Sequence, residues 1–137
     1  MLISRLGLSG FRGLEDRVYK LESVNNLIGH NGSGKTSFLE AVYLLCTGVS
    51  FLSTSMETIA KHTTNKFVVS GRACHKNRVD KLEIKLEKGK KSCYLNNTRT
   101  TQGKLFLRHP LCLVDAFVNR IVSGSPENRR KTIDRAM

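Results

Sequence analysis

The sequence predicts an α/β fold: a mixed sheet, a helix launched from a glycine-rich loop, and an antiparallel strand meander beyond it. Three observations carry that prediction. Gly29-His30-Asn31-Gly32-Ser33-Gly34-Lys35-Thr36 fills the pattern G-x-x-x-x-G-K-[ST] between a strand-like run and a helical one. Residues 81–87 alternate strictly between apolar and charged side chains, the period of a half-buried strand. Apolar-rich runs punctuated by Gly, Asn and Lys turns fill most of the remainder.

In chain order, residues 2–8 predict an opening strand closed by Ser9-Gly10, residues 17–21 a second, and residues 24–28 a third that feeds the loop. Residues 36–45 predict a helix whose Phe38, Leu39, Ala41, Val42, Leu44 and Leu45 are apolar around most of its circumference. Such a helix is buried against a sheet and other elements. Thr54-Ser55-Met56-Glu57 reads as a short capped helix. Residues 67–73 are strand-like, and residues 81–87 turn Leu82, Ile84 and Leu86 inward with Lys and Glu outward. Lys88-Gly89-Lys90 reverses the chain, residues 92–95 return, and Asn96-Asn97 reverse it again. The resulting meander, 67–101, has a face of mixed charge, a pattern that usually marks a solvated surface. Residues 110–114 predict one more buried strand, and Ser125-Pro126-Glu127 starts a helix with an N-cap serine, proline in the first turn and an acid behind it.

The loop's residue types follow from phosphate chemistry. Glycines let the backbone take positive φ and turn N–H groups inward as an anion nest. The helix start adds its own N–H groups and positive dipole end. In this pattern Lys35 reaches the β- and γ-phosphates and the Thr36 hydroxyl holds Mg²⁺. An ordinary glycine-rich turn before a helix is the plainer alternative.

Composition bounds the rest. The 137 residues suffice for one domain, and 39% hydrophobic content is ordinary for a soluble chain. Met1-Leu2-Ile3 runs straight into a strand, which predicts no signal peptide. The longest apolar stretch, 38–52, is broken by Glu40, Thr47, Gly48 and Ser50, too short and polar to span a bilayer. Cys46, Cys74, Cys93 and Cys112 form no C-x-x-C pair, and His30, His62, His75 and His109 show no ligand spacing. Neither a disulfide framework nor zinc is indicated, and cytoplasm is the default compartment. Residues 1–60 carry five basic and five acidic side chains, whereas residues 61–137 carry eighteen and six, so the whole net charge of +12 lies in the second half. That asymmetry predicts a polyanionic partner, nucleic acid, beyond the nucleotide; a lysine-rich surface kept for solubility is the alternative.

The ordered motifs resemble one family. Leu6-x-Leu8-x-x-Phe11-Arg12-Gly13-Leu14 is similar to the opening of the RecF family and of related SMC-type ABC heads, and the loop extended from Asn31 to Tyr43 resembles the same group. Ser50-Phe51 with Ser53-Thr54, Phe67-Val68-Val69-x-Gly71, and Gly124-Ser125-Pro126-x-x-Arg129-Arg130-x-x-x-Asp134 narrow it to RecF. Leu52 stands where that family usually has Arg, and 114–118 lacks its Pro-Glu. The resemblance implies a P-loop NTPase fold of the ABC-ATPase head type, here one partial domain, 1–137, C-terminally truncated before the signature loop and Walker B acids. It implies ATP and Mg²⁺ as cofactors, with Gly29, His30, Asn31, Gly32, Ser33, Gly34, Lys35 and Thr36 as nucleotide ligands, Thr36 on the metal and Arg12 near the nucleotide. It further implies binding to single-stranded and gapped duplex DNA, work with RecO and RecR in loading RecA for repair, and ATP-dependent homodimerisation, with no membrane.

The resulting expectation is an N-terminal RecF portion that binds ATP without independent turnover. Two other classes fit parts of the pattern. One is a small nucleotide kinase using Asp115, which ends an apolar run in the manner of a Walker B strand; the other is a nucleic-acid module indifferent to nucleotide. Ser123-Gly124-Ser125 reads as a helix cap rather than an ABC signature.

Overall fold

The computed structural model describes residues 1–61 and 63–114. The strands are β1 (Leu2–Ser9), β2 (Arg17–Lys20), β3 (Phe67–His75), β4 (Arg78–Glu87), β5 (Lys90–Leu95) and β6 (Thr98–Thr100); the helices are α1 (Lys35–Thr47) and α2 (Gln102–Arg108), with a 3₁₀ turn at Glu57–Ile59. All six strands form one sheet in the order β2-β1-β3-β4-β5-β6, and every pairing is antiparallel. The meander is therefore continuous with the opening strands, β1 joining β3 edge to edge.

Period-two side-chain alternation decides which face of this sheet is wet. Leu6, Leu8, Phe67, Val69, Ala73, Leu82, Ile84, Leu86 and Cys93 are buried on one face, where α1 crosses and contributes Phe38, Ala41, Leu44 and Leu45. Gly71 sits beneath Leu45, and a Cβ there would meet both the Leu45 side chain and the Arg5 carbonyl. The missing side chain lets helix and sheet approach closely. Edge-to-face pairs Phe11–Phe67 at 5.5 Å and Tyr19–Phe38 at 5.1 Å add aromatic contacts to this core. At its C-terminus α1 ends on Gly48 in the left-handed region at φ 73°, and Lys91 Nζ on β5 donates to the Gly48 carbonyl at 2.7 Å.

The turns agree with their residue types. Asn96 and Asn97 both have positive φ, 50° and 66°, the geometry of a two-residue type I′ hairpin turn. Three expectations are corrected. Residues 24–28 do not pair into the sheet; Val24 and Ile28 are 77% and 94% exposed, and no neighbouring strand among the described residues satisfies that backbone. Residues 110–114 form no strand, and Cys112 and Val114 are exposed. The short helix lies at Glu57–Ile59 rather than 54–57, and its N-cap residue, Met56, makes no side-chain cap bond. Beyond the meander, over residues for which the sequence predicted no element, α2 forms with Thr101 as N-cap accepting from Lys104 N. The helix start at Ser125, Arg129, Arg130, Asp134 and the candidate Asp115 lie outside the described residues. No described helix is long and apolar enough to cross a membrane.

A buried polar cluster ties β4 to α2. Asp80, 2% exposed, accepts from Arg108 Nε at 2.9 Å, Arg108 Nη2 at 3.0 Å, Asn96 Nδ2 at 3.0 Å and His109 Nε2 at 3.2 Å, with Arg78 Nε also at 3.2 Å. The Arg108 bond foremost, with Asn96 and the Arg78 charge behind it, holds the Asp80 carboxyl far below the usual carboxylate range. Burial pushes His109 down, so the neutral ring donates from Nε2 and leaves Nδ1 without a partner among the described residues.

Candidate functional site

The loop at 29–36 takes its shape from two left-handed glycines. Gly32 and Gly34 have φ of 82° and 89°, conformations in which an L side chain is strained. Gly34 is the N-cap of α1, with no side-chain cap, and the first intrahelical bond runs from Phe38 N to Gly34 O at 2.8 Å. The N–H groups of Lys35, Thr36 and Ser37 therefore emerge from the helix end unsatisfied by its own turns. No acidic residue occupies the first turn. Each feature favours an anion there: free donors, a positive dipole end and no competing carboxylate.

Lys35 lies across the loop. Its Nζ donates to Gly29 O at 2.7 Å and His30 O at 2.8 Å, leaving one of its three N–H donors uncommitted. Ser33 N donates to His30 O at 3.2 Å and closes the turn beneath it. Asn31, Gly32 and Ser33 line the rim, with Asn31 and Gly32 exposed, and the Thr36 side chain is exposed on the first turn of α1. Thus residues 29 to 36 lie together as one loop at the N-terminal end of α1.

Arg12 is placed differently. Its Nε and Nη2 donate to Glu40 Oε2 and Oε1 at 2.9 and 2.8 Å, and Nη1 to Thr58 O at 3.2 Å. Glu40 on α1 is 0% exposed and takes a third bond from Ser50 Oγ. The ion pair raises the Arg12 pKa further. Two positions on, Leu14 packs over the loop; a Cβ on Gly34 would lie 2.5 Å from Leu14 Cδ2. The β1–β2 connection thus grips α1 twice, through Arg12 on Glu40 and Leu14 against Gly34. Asp16, accepting from Gly10 N at 2.9 Å and Ser9 Oγ at 2.8 Å, fixes that connection. Sequence reasoning missed Glu40 and Leu14. An acid amid the apolar face of α1 was the available signal for Glu40; its partner lies 28 positions away and has no local trace.

A strand-lined sheet, a P-loop at a helix N-terminus and an inward-packed α1 define a P-loop ATPase head, and the chain belongs to the AAA ATPase domain family, which matches residues 1–115. Among its relatives is the DNA replication and repair protein RecF of Francisella tularensis subsp. holarctica, 30% identical over 98% of this chain and 39% of the relative. The subsp. novicida protein of that name matches at the same identity and coverage. The solved structure of the recombination mediator protein RecF-ATPrS in the RecFOR pathway superposes with TM-score 0.88 at 25% identity, over 98% of this chain and 37% of that one. The RecF-ATP structure of that pathway gives 0.85 at 26% identity, covering 97% and 37%. The SMC head domain of Thermotoga maritima, at 18% identity and TM-score 0.66 over 91% of this chain and 52% of that one, shares the fold. The chain spans about two-fifths of the curated relatives it matches, 39% of their length.

Proposed function

We propose that this chain is the nucleotide-binding lobe, residues 1–137, of a RecF-type repair ATPase. The observation that carries the reading is the loop itself: Gly32 and Gly34 at positive φ, an uncapped start to α1, and Lys35 poised across it. In this reading the backbone of residues 29–36 receives the phosphates of ATP, and Lys35 exchanges its bonds to Gly29 and His30 for phosphate oxygens. Thr36 would give Mg²⁺ one hydroxyl ligand. Mg²⁺ held there would keep several waters and lean on phosphate oxygens. Bound Mg²⁺ would neutralise phosphate charge. The chain's own residues position the phosphates, and Arg12 with Leu14 keeps the helix end in place.

By the same kinship the proposal includes a role in recombinational DNA repair and replication: binding at gapped DNA, partnership with RecO- and RecR-type proteins, and a homodimer closing over ATP. The RecF likeness and the basic second half support it.

Ligand-linked stability tests the nucleotide reading. A ligand that binds only the folded chain raises its melting temperature with concentration. ATP with Mg²⁺ is expected to raise it more than ATP with EDTA, and Thr36→Ala should erase that difference. Identical curves with and without nucleotide would refute the proposal.

A further inference from the structure

Ser50-Phe51 and Ser53-Thr54 follow α1 in a loop whose two serines close a ring of hydrogen bonds. Ser50 Oγ donates to Glu40 Oε1 and accepts from Leu52 N at 3.0 Å and Ser53 N at 2.9 Å. The hydroxyl thus uses its one donor and both lone pairs. Ser53 Oγ shares a hydrogen bond with Thr58 Oγ1, and the Thr58 carbonyl accepts from Arg12 Nη1 at 3.2 Å. Arg12 returns to Glu40 through Nε and Nη2. The ring therefore joins α1, the loop at 50–53, the turn at Glu57–Ile59 and the β1–β2 connection.

Two observations give this ring a bearing on the loop at 29–36. Arg12 holds a left-handed backbone at φ 50°, a strained conformation that persists only where its surroundings over-determine it. Its own N–H, donating to Ile59 O at 2.7 Å, and its side-chain bonds in the ring do so here. The turn that carries Arg12 ends at Leu14, which donates from N to Phe11 O at 3.1 Å and packs against Gly34. Glu40 is fully buried, and a buried carboxylate keeps its orientation only while its donors are complete. Without Ser50 Oγ, Oε1 loses a donor and the carboxylate is free to turn. The Arg12 fork is bound to both of its oxygens and turns with it. Leu14, two residues on, then shifts against Gly34, and the N–H groups of the helix end lose their common aim.

We propose that Ser50 is a positioning residue for nucleotide binding, acting through Glu40, Arg12 and Leu14 on the backbone at Gly34. This rests on the reading that residues 29–36 bind nucleotide, and it adds the loop at 50–53 to the parts that set the geometry of that site.

Titration calorimetry of the full chain with Mg·ATP, run well below the melting temperature, tests it. Ser50→Ala should weaken binding about fivefold at unchanged stoichiometry. Ser50→Thr keeps the hydroxyl and should recover most of that loss. In a Leu14→Ala background, Ser50→Ala should cost less than about twofold, because the chain of contacts ends at Leu14. Ser53→Ala opens the ring at a half-buried point and should weaken binding in the same direction; it carries the test if Ser50→Ala does not fold. In the nucleotide-free chain, the amide resonances of Gly32, Gly34 and Lys35 should move in Ser50→Ala and return in Ser50→Thr. A hydroxyl that serves stability alone would lower the melting temperature and leave those resonances and the affinity of the folded chain unchanged, which would overturn the proposal. So would the full loss of affinity in the Leu14→Ala background, or a Ser50→Thr chain that binds no better than Ser50→Ala. Wild type that binds Mg·ATP, beside serine variants that bind it equally, sinks this assignment alone; no binding by folded wild type sinks the nucleotide reading with it.

Discussion

Gly34 sits where backbone and packing both exclude a side chain: φ is 89°, and a Cβ would stand 2.5 Å from Leu14 Cδ2. Gly34→Ala should therefore cost about 1–2 kcal/mol of stability from the left-handed backbone. It should weaken Mg·ATP binding more than that loss alone explains, because Leu14 must move off the loop; urea unfolding and nucleotide titration separate the two effects. Arg12 has a different task. Removing it leaves a fully buried Glu40 carboxylate without its bidentate partner, which costs about 3–5 kcal/mol. Arg12→Ala is expected to fall in that range in urea unfolding, Arg12→Lys to recover only part, and Arg12→Ala in a Glu40→Gln background to cost far less. Equal costs in both backgrounds would show that Glu40 is not what Arg12 serves. Asp80 gives a pH dependence. Its folded pKa lies below the ordinary 3.8, so its contribution is complete above that value and drains away as pH falls from there toward the folded pKa. Thermal melting followed from pH 5 downward should fall more steeply for wild type than for Asp80→Asn; parallel curves would contradict the cluster's role.

At the scale of elements, α1 joins the proposed site to the scaffold: its first turn is the end proposed to bind phosphate, and its middle is packed in the core. Gly71 sets how closely it lies on β3, so Gly71→Ala should overpack that contact and cost about 1–3 kcal/mol, seen as a lower urea midpoint. What was legible followed local pattern. The alternation of Leu82, Ile84 and Leu86 gave β4 its buried face, and the apolar girth of α1 foretold its burial. What was not legible depended on neighbours. Residues 24–28 have strand composition, but composition forms no ladder without an adjacent strand, and Ile28 stands 94% exposed. The run at 110–114 failed for the same reason. Helix α2 has seven residues, under two full turns; Thr101 as N-cap, buried Leu105 and Arg108 in the last turn were its faint signal.

For the whole molecule, two surfaces differ in how they are assembled. One end of α1 offers a neutral-backbone anion nest, and the outer sheet face offers a row of cations assembled from four strands. Sequence displays the first as a contiguous motif, residues 29–36. It disclosed the second only as an excess of charge after residue 60, since Arg5 and Lys20 join Arg72 and Lys81 through register alone. The central claim is that the loop at 29–36 binds nucleotide through Lys35. Titration calorimetry of the folded chain with Mg·ATP, wild type beside Lys35→Ala, tests it most directly. Saturable binding at one site in wild type, lost in a Lys35→Ala chain that melts at the same temperature, is the predicted result. Equal binding by both proteins, or none by folded wild type, would contradict it.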